Sequence, residues 1–293
     1  MNPIQRIAGR PSDIGDGMMV LRALPSRQRR MVGAWCFADH LGPVQFGPGK
    51  GMHVGAHPHI GLQTFTWLIE GEVLHRDSLG NEQIIRPGEV NLMTAGHGVV
   101  HTEDSLRDGQ RLHAAQLWIA LPDTATNCAP GFAHYADLPR WAEAGCSFTL
   151  LAGSFAGRTM AGHFHSPLLG LDACSSSAAK ISLPLKPEFE YGILLLEGEI
   201  LIAGERFATD EFAYLGTGAE HIELEMAAAT RIIVLGGEPF GEPVLMWWNF
   251  VGFSKDQIAE ALRAWEADEP RFGRVEGDAG RRLVAPALPW SGY

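Results

Sequence analysis

Two short stretches of the chain place residues that commonly bind metal ions one residue apart. GAHPHIGLQT, residues 55–64, carries His57 and His59, and GHGVVHTE, residues 96–103, carries His101 and Glu103. Residues i and i+2 of a β-strand point to the same face, so each pair would point one way. If both strands line one barrel, three imidazole nitrogens and one carboxylate oxygen converge, which suits a first-row divalent metal. Four ligands leave one or two positions open, as a catalytic site needs.

The alternative is that these are ordinary strand or surface histidines. For a single His-x-His pair that alternative is favoured, and it applies to His163 and His165 in GHFHSP. Two matched pairs, the second beside the glycine-rich turn TAGHG, favour a metal site instead. Four histidines that lie nearby in the sequence match no pair and are interpreted as surface or core residues: His53, His75, His97 and His113.

The alternation that begins at His59 runs on through Gly61 to Gln63, Phe65 and Trp67. Without a bulge, these three side chains would also face the metal pocket. Gln63 would then orient a ligand or a bound water. Phe65 and Trp67 would wall the pocket, with packing in the core as an equal alternative.

The elements that carry these residues occur twice. FTWLIEGEVLHRD, from Phe65, resembles GILLLEGEILIAGE, from Gly192, and residues 86–103 resemble residues 208–225. Each copy reads as short strands bounded by turns, with Gly71 and Gly198 able to supply the positive φ of a tight hairpin. This pattern predicts an internal duplication of a sandwich or barrel.

The second copy does not repeat the ligands. The first histidine pair falls opposite Pro184 and Lys186, and the second pair falls opposite Glu223 and Glu225. Because a lysine repels a cation, we expect the metal in the first copy only. The join between the copies is predicted near residues 122–146, where the strand pattern breaks.

One helix is expected near the end of the chain. Ser254 and Gln257 form the S-x-x-Q pattern of a capping box. Apolar residues follow at helical spacing and predict one buried face. They are Ile258, Ala261, Leu262 and Trp265.

Composition narrows the classes of partner. The 293 residues include 34 acidic and 23 basic side chains, for a net charge of −11, which argues against direct nucleic-acid binding. No apolar run reaches the roughly 18 residues of a membrane span. The N-terminus lacks the apolar core of a signal peptide, and the four cysteines form no CxxC pair, so a cytoplasmic location is expected.

Several motifs together resemble the pirin family. They are GRPSDIGDGMMVLRALPS, FADHLGPV, HPHIGLQTFTWLIEGEVLHRDSLG, TAGHGVVHTE and the GEPFGEPV…WWNFV run, which cover most of the chain in order. The resemblance implies an all-β bicupin: two face-to-face antiparallel β-barrels of jelly-roll type, with a short C-terminal helix. It implies a metal-binding cupin domain at residues 1–135 and a metal-free cupin domain at residues 136–293.

The resemblance also implies the site and its cofactor. The family's metal ligands carry over to His57, His59, His101 and Glu103, with one divalent ion per chain. Fe(II) is the expected metal, and Zn, Ni, Mn and Cu are the alternatives, since site affinity alone does not choose the metal. Many pirins carry Glu where this chain has Gln63, so a possible proton acceptor is missing here.

Two functions stay open at this stage. Several pirins resemble flavonol dioxygenases, so one reading is a quercetin 2,3-dioxygenase-like oxidoreductase that takes a flavonol and O₂, with Glu103 accepting the flavonol proton. The other is a non-catalytic, iron-dependent redox regulator that binds a transcription factor or a metabolic enzyme. A structural bicupin with a vestigial site is disfavoured because all four ligands are present.

Overall fold

The computed structural model describes residues 3–14, 18–277 and 282–290, so the predicted outer limits of the two domains, residues 1 and 293, lie outside it. In the first part of the chain the strands are β1 Gln5–Ala8, β2 Arg10–Asp13, β3 Met19–Leu24, β4 Trp35–Gln45, β5 His53–His59, β6 Leu62–Glu70, β7 Val73–Asp77, β8 Glu82–Ile85, β9 Val90–Thr94, β10 Val99–Ser105, β11 Arg111–Ala120 and β12 Gly131–Tyr135. The later strands are β13 Arg140–Glu143, β14 Cys146–Phe155, β15 Arg158–Thr159, β16 Leu168–Ser175, β17 Ala179–Pro184, β18 Glu190–Glu197, β19 Glu199–Ile202, β20 Glu205–Ala208, β21 Glu211–Leu215, β22 His221–Met226, β23 Thr230–Gly237, β24 Leu245–Trp247 and β25 Phe250–Gly252. The predicted all-β class is confirmed.

The chain divides into two compact units. The histidine unit comprises Asp13–Met18, Leu41–Ala136 and Gly241–Tyr293, and the aliphatic unit comprises Met1–Ser12, Met19–His40 and Asp137–Phe240. The predicted domains, in contrast, are contiguous. The difference lies in the end segments, because β1 pairs with β21 inside the aliphatic unit and Phe250 bridges to Ile60 inside the histidine unit.

The histidine unit is built from two sheets. One has the strand order β5-β10-β7-β8, and the other has the order β12-β9-β6-β11-β4. Strand β4 enters this unit at Leu41, and its first half pairs with β3 in the aliphatic unit. Strands β5 and β10, which carry the two candidate ligand pairs, are therefore direct neighbours.

The aliphatic unit repeats this strand order. Its four-stranded sheet runs β17-β22-β19-β20, and its larger sheet runs β1-β21-β18-β23-β16-β14-β13, with β15 beside β14. Each strand from β16 to β23 thus occupies the place of the strand numbered twelve lower, from β4 to β11. The shared order supports the internal duplication that the sequence predicts.

The two Glu-Gly-Glu turns adopt the expected backbone but not the expected connection. Gly71 has a φ of +90° and Gly198 a φ of +81°. A Cβ at Gly71 would lie 2.5 Å from the carbonyl oxygen of Arg111, so a larger residue would clash. The strands on either side of each turn belong to different sheets. Each turn therefore carries the chain between sheets and does not close a hairpin.

The predicted helix is confirmed as α1, Lys255–Glu266. The Ser254 side chain accepts from the Gln257 amide, and the Gln257 side chain accepts from the Ser254 amide, which completes the capping box. The predicted apolar face is buried in a cluster with Ile60 and Phe250. No helix within the described ranges is long and apolar enough to cross a membrane.

Candidate metal centre

The pairing of β5 with β10 brings the two predicted ligand pairs to one face of a sheet. His101 lies directly opposite His57, and the register then shifts before Glu103, which lies opposite Val54. On the other side of β10, His101 pairs with Asp77 and Glu103 pairs with His75. Directly paired residues in antiparallel strands share a face. The side chains of His75 and Asp77 therefore point to the same side of the sheet as the predicted ligands.

His57, His59 and His101 form a tight cluster, called here the triad. One nitrogen from each ring lies within 4.8 Å of the others, and all three side chains are buried. The Nε2 atoms of His59 and His101 are 3.1 Å apart. Metal–nitrogen bonds of about 2.1 Å place neighbouring ligand nitrogens about 3.0–3.4 Å apart in octahedral or tetrahedral geometry. The observed separation fits one shared ion.

Backbone carbonyls fix the orientation of two triad rings. The Nδ1 atom of His57 lies 2.9 Å from the Gly55 carbonyl oxygen, and that of His59 lies 3.2 Å from the Asn249 carbonyl oxygen. A carbonyl oxygen only accepts, so each Nδ1 carries the proton and each Nε2 presents a bare lone pair. This is the arrangement of a metal-ligating histidine whose outer nitrogen is held by the surrounding protein.

The third ring is held by side chains instead. His101 Nδ1 lies 3.2 Å from His75 Nδ1, and His75 Nε2 lies 3.0 Å from Asp77 Oδ2. The His75 ring stacks on Phe132, with ring centroids 4.5 Å apart. His75 and Asp77 are buried. The interpretation of His75 as a generic core residue therefore misses its contact with the triad.

Burial keeps the triad neutral. It lowers the pKa of His57 to about 4, against a smaller raising effect of the hydrogen bond to Gly55. Burial, together with the nearby His57 ring, also lowers the pKa of His59 and His101 well below the usual value. All three rings are unprotonated near neutral pH, and a neutral imidazole is the form that binds a metal.

Glu103 lies on the same sheet face but outside the triad cluster. Among the described residues, the group whose donor atoms lie within 4.8 Å of one another contains the three histidines and not Glu103. Burial raises the pKa of Glu103, and the neighbouring His75 and a hydrogen bond from Thr66 oppose that rise. Only three of the four predicted ligands are thus in mutual ligand range in this structure.

The predicted pocket residues on β6 face away from the triad. Thr64 pairs with Trp118, whose ring lies 5.1 Å from that of His59, so the Thr64 face of β6 is the triad side. Gln63 is its sequence neighbour and points to the opposite face, as do the other two predicted residues, Phe65 and Trp67. All three are buried, and the Gln63 side-chain amide donates to Thr94.

Gln63, Phe65 and Trp67 face away from the triad because the alternation of side chains breaks before β6. Ile60 forms an isolated bridge with Phe250, and Gly61 has a φ of +67°. The chain turns there, so the count of alternating residues from His59 does not carry over into β6. The expectation that Gln63, Phe65 and Trp67 line the metal pocket is corrected by this geometry.

A small cavity of about 40 Å³ lies beside Glu103. Thr66 and Gln116 supply its other polar side chains, and the Thr66 hydroxyl donates to the side-chain oxygen Oε1 of Gln116 at 2.9 Å. The other residues that line the cavity are apolar: Ile14, Leu41, Met52, Val54, Leu68, Val73, Leu112 and Ala114. A water or O₂ fits this volume, whereas drug-sized ligands occupy about 300 Å³ or more.

In the aliphatic unit, the strands equivalent to β5 and β10 are β17 and β22, and their buried face carries no histidine or carboxylate. The residues predicted to align with the ligands are exposed: Pro184, Lys186, Glu223 and Glu225. The buried positions are aliphatic, and Leu183 pairs with Ile222 as Ile181 pairs with Leu224. His163 and His165 contact each other with ring centroids 4.7 Å apart, and His163 is exposed.

Two groups around the triad were detectable from the sequence, and others were not. His75 and Asp77 stand at i and i+2 in VLHRD, the same spacing as the two ligand pairs. Trp118 and Phe132 lie on strands with no such pattern, and the Asn249 carbonyl is a backbone group. Only tertiary structure brings Trp118 and the Asn249 carbonyl to His59, and Phe132 to His75.

Comparisons with known proteins give a consistent result. The chain matches the Pirin family model over residues 17–119 and the Pirin C-terminal cupin domain model over residues 171–273. A Pseudomonas aeruginosa protein, provisionally named as a quercetin 2,3-dioxygenase, is 57% identical over 98% of this chain and 91% of its own length. A Caulobacter vibrioides pirin-like protein is 37% identical over 88% of this chain and 91% of its own length.

Solved structures agree. The crystal structure of a quercetin 2,3-dioxygenase from Acinetobacter baumannii is 49% identical, with a TM-score of 0.96, over 99% of this chain and 97% of that chain. The Escherichia coli pirin YhhW, solved with nickel(II), shares the fold at 18% identity and a TM-score of 0.63, over 81% of this chain and 100% of that chain.

Proposed function

Because this chain belongs to the pirin family, we propose that it is a metal-dependent dioxygenase that opens flavonols with O₂. The observation that carries the proposal is the triad: three buried, neutral imidazoles with nitrogens at the spacing of ligands on one ion. The A. baumannii protein with the matching fold bears the same activity in its name. The expected metal is Fe(II), with Ni, Mn, Cu and Zn as alternatives.

Residues around the triad support this chemistry. A redox-active ion held there would supply coordination positions for a flavonol oxygen and for O₂. His57, His59 and His101 would hold the ion, and we assign Glu103 as the fourth ligand. As a carboxylate whose pKa is raised by burial, Glu103 is also suited to accept the flavonol hydroxyl proton.

The size of the cavity limits where substrates bind. The volume beside Glu103 is close to that of O₂ and far below that of a flavonol. We infer that a flavonol binds outside this cavity, beside the triad, where the Trp118 ring lies against the His59 ring. An aromatic ring there favours a flat aromatic ligand and keeps water from the site.

The test is oxygen uptake with quercetin by protein reconstituted with each of the five metals in turn. We expect turnover with at least one redox-active ion and a large loss in His59→Ala. His53→Ala is the matched control, because His53 lies on the same strand with its side chain exposed and outside the triad.

The outcomes separate the two functions left open by the sequence. Tight metal binding without turnover of any flavonol would refute the dioxygenase proposal and favour a metal-dependent regulator with a protein partner. The four cysteines are free, which fits the reducing cytoplasm where we expect this protein to act.

A further inference from the structure

The third triad histidine differs from the other two in what holds its outer nitrogen. His57 and His59 use backbone carbonyls, whereas His101 uses His75, which in turn contacts Asp77. We propose that Asp77 and His75 are positioning residues that set the tautomer of His101, so that its Nε2 atom is free to bind a metal. The inference rests on the proposed function, since it assigns the triad to a metal.

The chain of hydrogen bonds starts at Asp77. Its two carboxylate oxygens receive the backbone N–H groups of Leu79 and Asn81 and the Asn81 side-chain amide, at 2.9–3.1 Å. His75 Nε2 adds a further contact at 3.0 Å. With donors on both oxygens, the carboxylate accepts in every one of these contacts. The proton in the contact with His75 therefore sits on His75 Nε2.

The proton on His75 Nε2 determines which nitrogen of His101 carries a proton. A neutral His75 with its proton on Nε2 has a lone pair on Nδ1, and this atom faces His101 Nδ1 at 3.2 Å. The contact is a hydrogen bond only if His101 carries its proton on Nδ1. The Nε2 atom of His101 is then bare, and it is the atom that lies 3.1 Å from Nε2 of His59.

Replacing the Asp77 carboxylate by an amide should move the protons of His75 and His101 to their opposite ring nitrogens. In Asp77→Asn, the side-chain oxygen is needed by the two backbone donors of Leu79 and Asn81, which leaves the NH₂ group facing His75. An NH₂ donates, so His75 would carry its proton on Nδ1 and present it to His101. His101 would respond by protonating Nε2, the atom that the metal needs. A change of tautomer without a change of shape is known to disable a histidine.

The experiment measures zinc affinity by competition with a chromophoric chelator, because zinc is redox-inert and needs no turnover. We expect Asp77→Asn and His75→Phe each to weaken zinc binding by about 10- to 100-fold, the range for groups behind metal ligands. Phe at position 75 preserves the stack on Phe132. The double variant should bind zinc no more weakly than His75→Phe alone, because Asp77 acts only through His75.

Asn81→Ala is the matched control. It removes the side-chain amide that contacts both carboxylate oxygens of Asp77, but it leaves the contact between Asp77 and His75 and the two backbone donors in place. We expect its zinc affinity to stay close to that of the unmodified protein. Equal losses in Asn81→Ala and Asp77→Asn would assign the effect to the loop and overturn the proposal, as would full additivity in the double variant.

A second readout needs no metal. Nitrogen-15 spectra of the histidine rings in metal-free protein should show the His101 proton on Nδ1, and on Nε2 in Asp77→Asn. An Nε2 proton on His101 in the unmodified protein would overturn the proposal, even with the fold intact. Failure of the unmodified protein to bind zinc, nickel or iron would instead refute the proposed metal centre, so the two failures are distinguishable.

Discussion

Metal binding should stabilise this protein, and the gain should depend on the triad. A ligand that binds only the folded state at 100 times its dissociation constant adds about 2.7 kcal/mol to the free energy of unfolding. For a unit of this size, each kcal/mol raises the melting temperature by about 2–4 °C. We therefore expect metal-free protein to gain about 5–11 °C on saturation with zinc or nickel.

The perturbation is His59→Ala. The structure shows that it deletes the Nε2 atom 3.1 Å from that of His101 and the Nδ1 contact with the Asn249 carbonyl. If the dissociation constant rises 100-fold, the same metal concentration adds only about 0.4 kcal/mol, which is a shift of about 1–2 °C. The substitution also leaves a cavity, but that cost is present with and without metal and cancels in the difference.

Differential scanning fluorimetry with and without metal, after removal of bound ions by a chelator, measures this difference. His53→Ala should retain the full metal-dependent shift, because its side chain is 54% exposed and outside the triad. The reasoning fails if His59→Ala keeps the full shift, or if the unmodified protein shows none at saturating metal.

Three further predictions follow from the described contacts. Glu103→Gln should weaken zinc binding at least about tenfold, the lower end of the effect of groups behind metal ligands, because it alters the assigned fourth ligand; unchanged affinity in the chelator competition would remove Glu103 as a ligand. Gln63→Glu should leave zinc affinity and any pH–rate profile unchanged, since Gln63 points away from the triad; a shifted profile would contradict that orientation. Burial, against the opposing effect of Arg22, raises the pKa of Asp39 from 3.8 to about 6, so its ionisation costs the folded state about 3 kcal/mol. Denaturant unfolding should show the free energy of unfolding falling, relative to Asp39→Asn, as the pH rises from about 4 to 6, and a constant difference would refute this.

The sequence predicts the common direction of each ligand pair because each pair lies within one strand, whereas the meeting of the two pairs in the triad depends on the pairing of β5 with β10. The period of two that relates His57 to His59 is a local property of extended backbone, so it needs no tertiary information. The same rule fails between His59 and Gln63, because the turn at Ile60 and Gly61 lies between them. A rule about alternation holds only within one strand, and the strand ends inside the residues HIGLQ, at the positive φ of Gly61.

The sequence does not predict that the N-terminal strand β1 belongs to the aliphatic unit and the C-terminal segment to the histidine unit, and the reason is different. The pairing of β1 with β21 joins residues about 200 positions apart, as the register of Arg6 with Ala213 shows. Backbone hydrogen bonds between strands depend little on residue type, so the side chains of a short edge strand do not identify its partner. The capping box at Ser254 lies at the other extreme, since both of its residues are within one helical turn.

The two units differ in the side chains that their sheets bury. They share the same strand order, yet where the histidine unit places the triad, the aliphatic unit buries aliphatic side chains such as Leu183 and Ile222. Burying each aliphatic side chain contributes about 1.5–3 kcal/mol, whereas a buried imidazole stabilises nothing until its nitrogens have partners. Gly55, Asn249 and His75 each satisfy one Nδ1, which leaves three Nε2 atoms converging on one point. The outer nitrogens of this site have partners within the fold and the inner nitrogens gain theirs when a cation binds, so cation binding explains this geometry and folding alone does not.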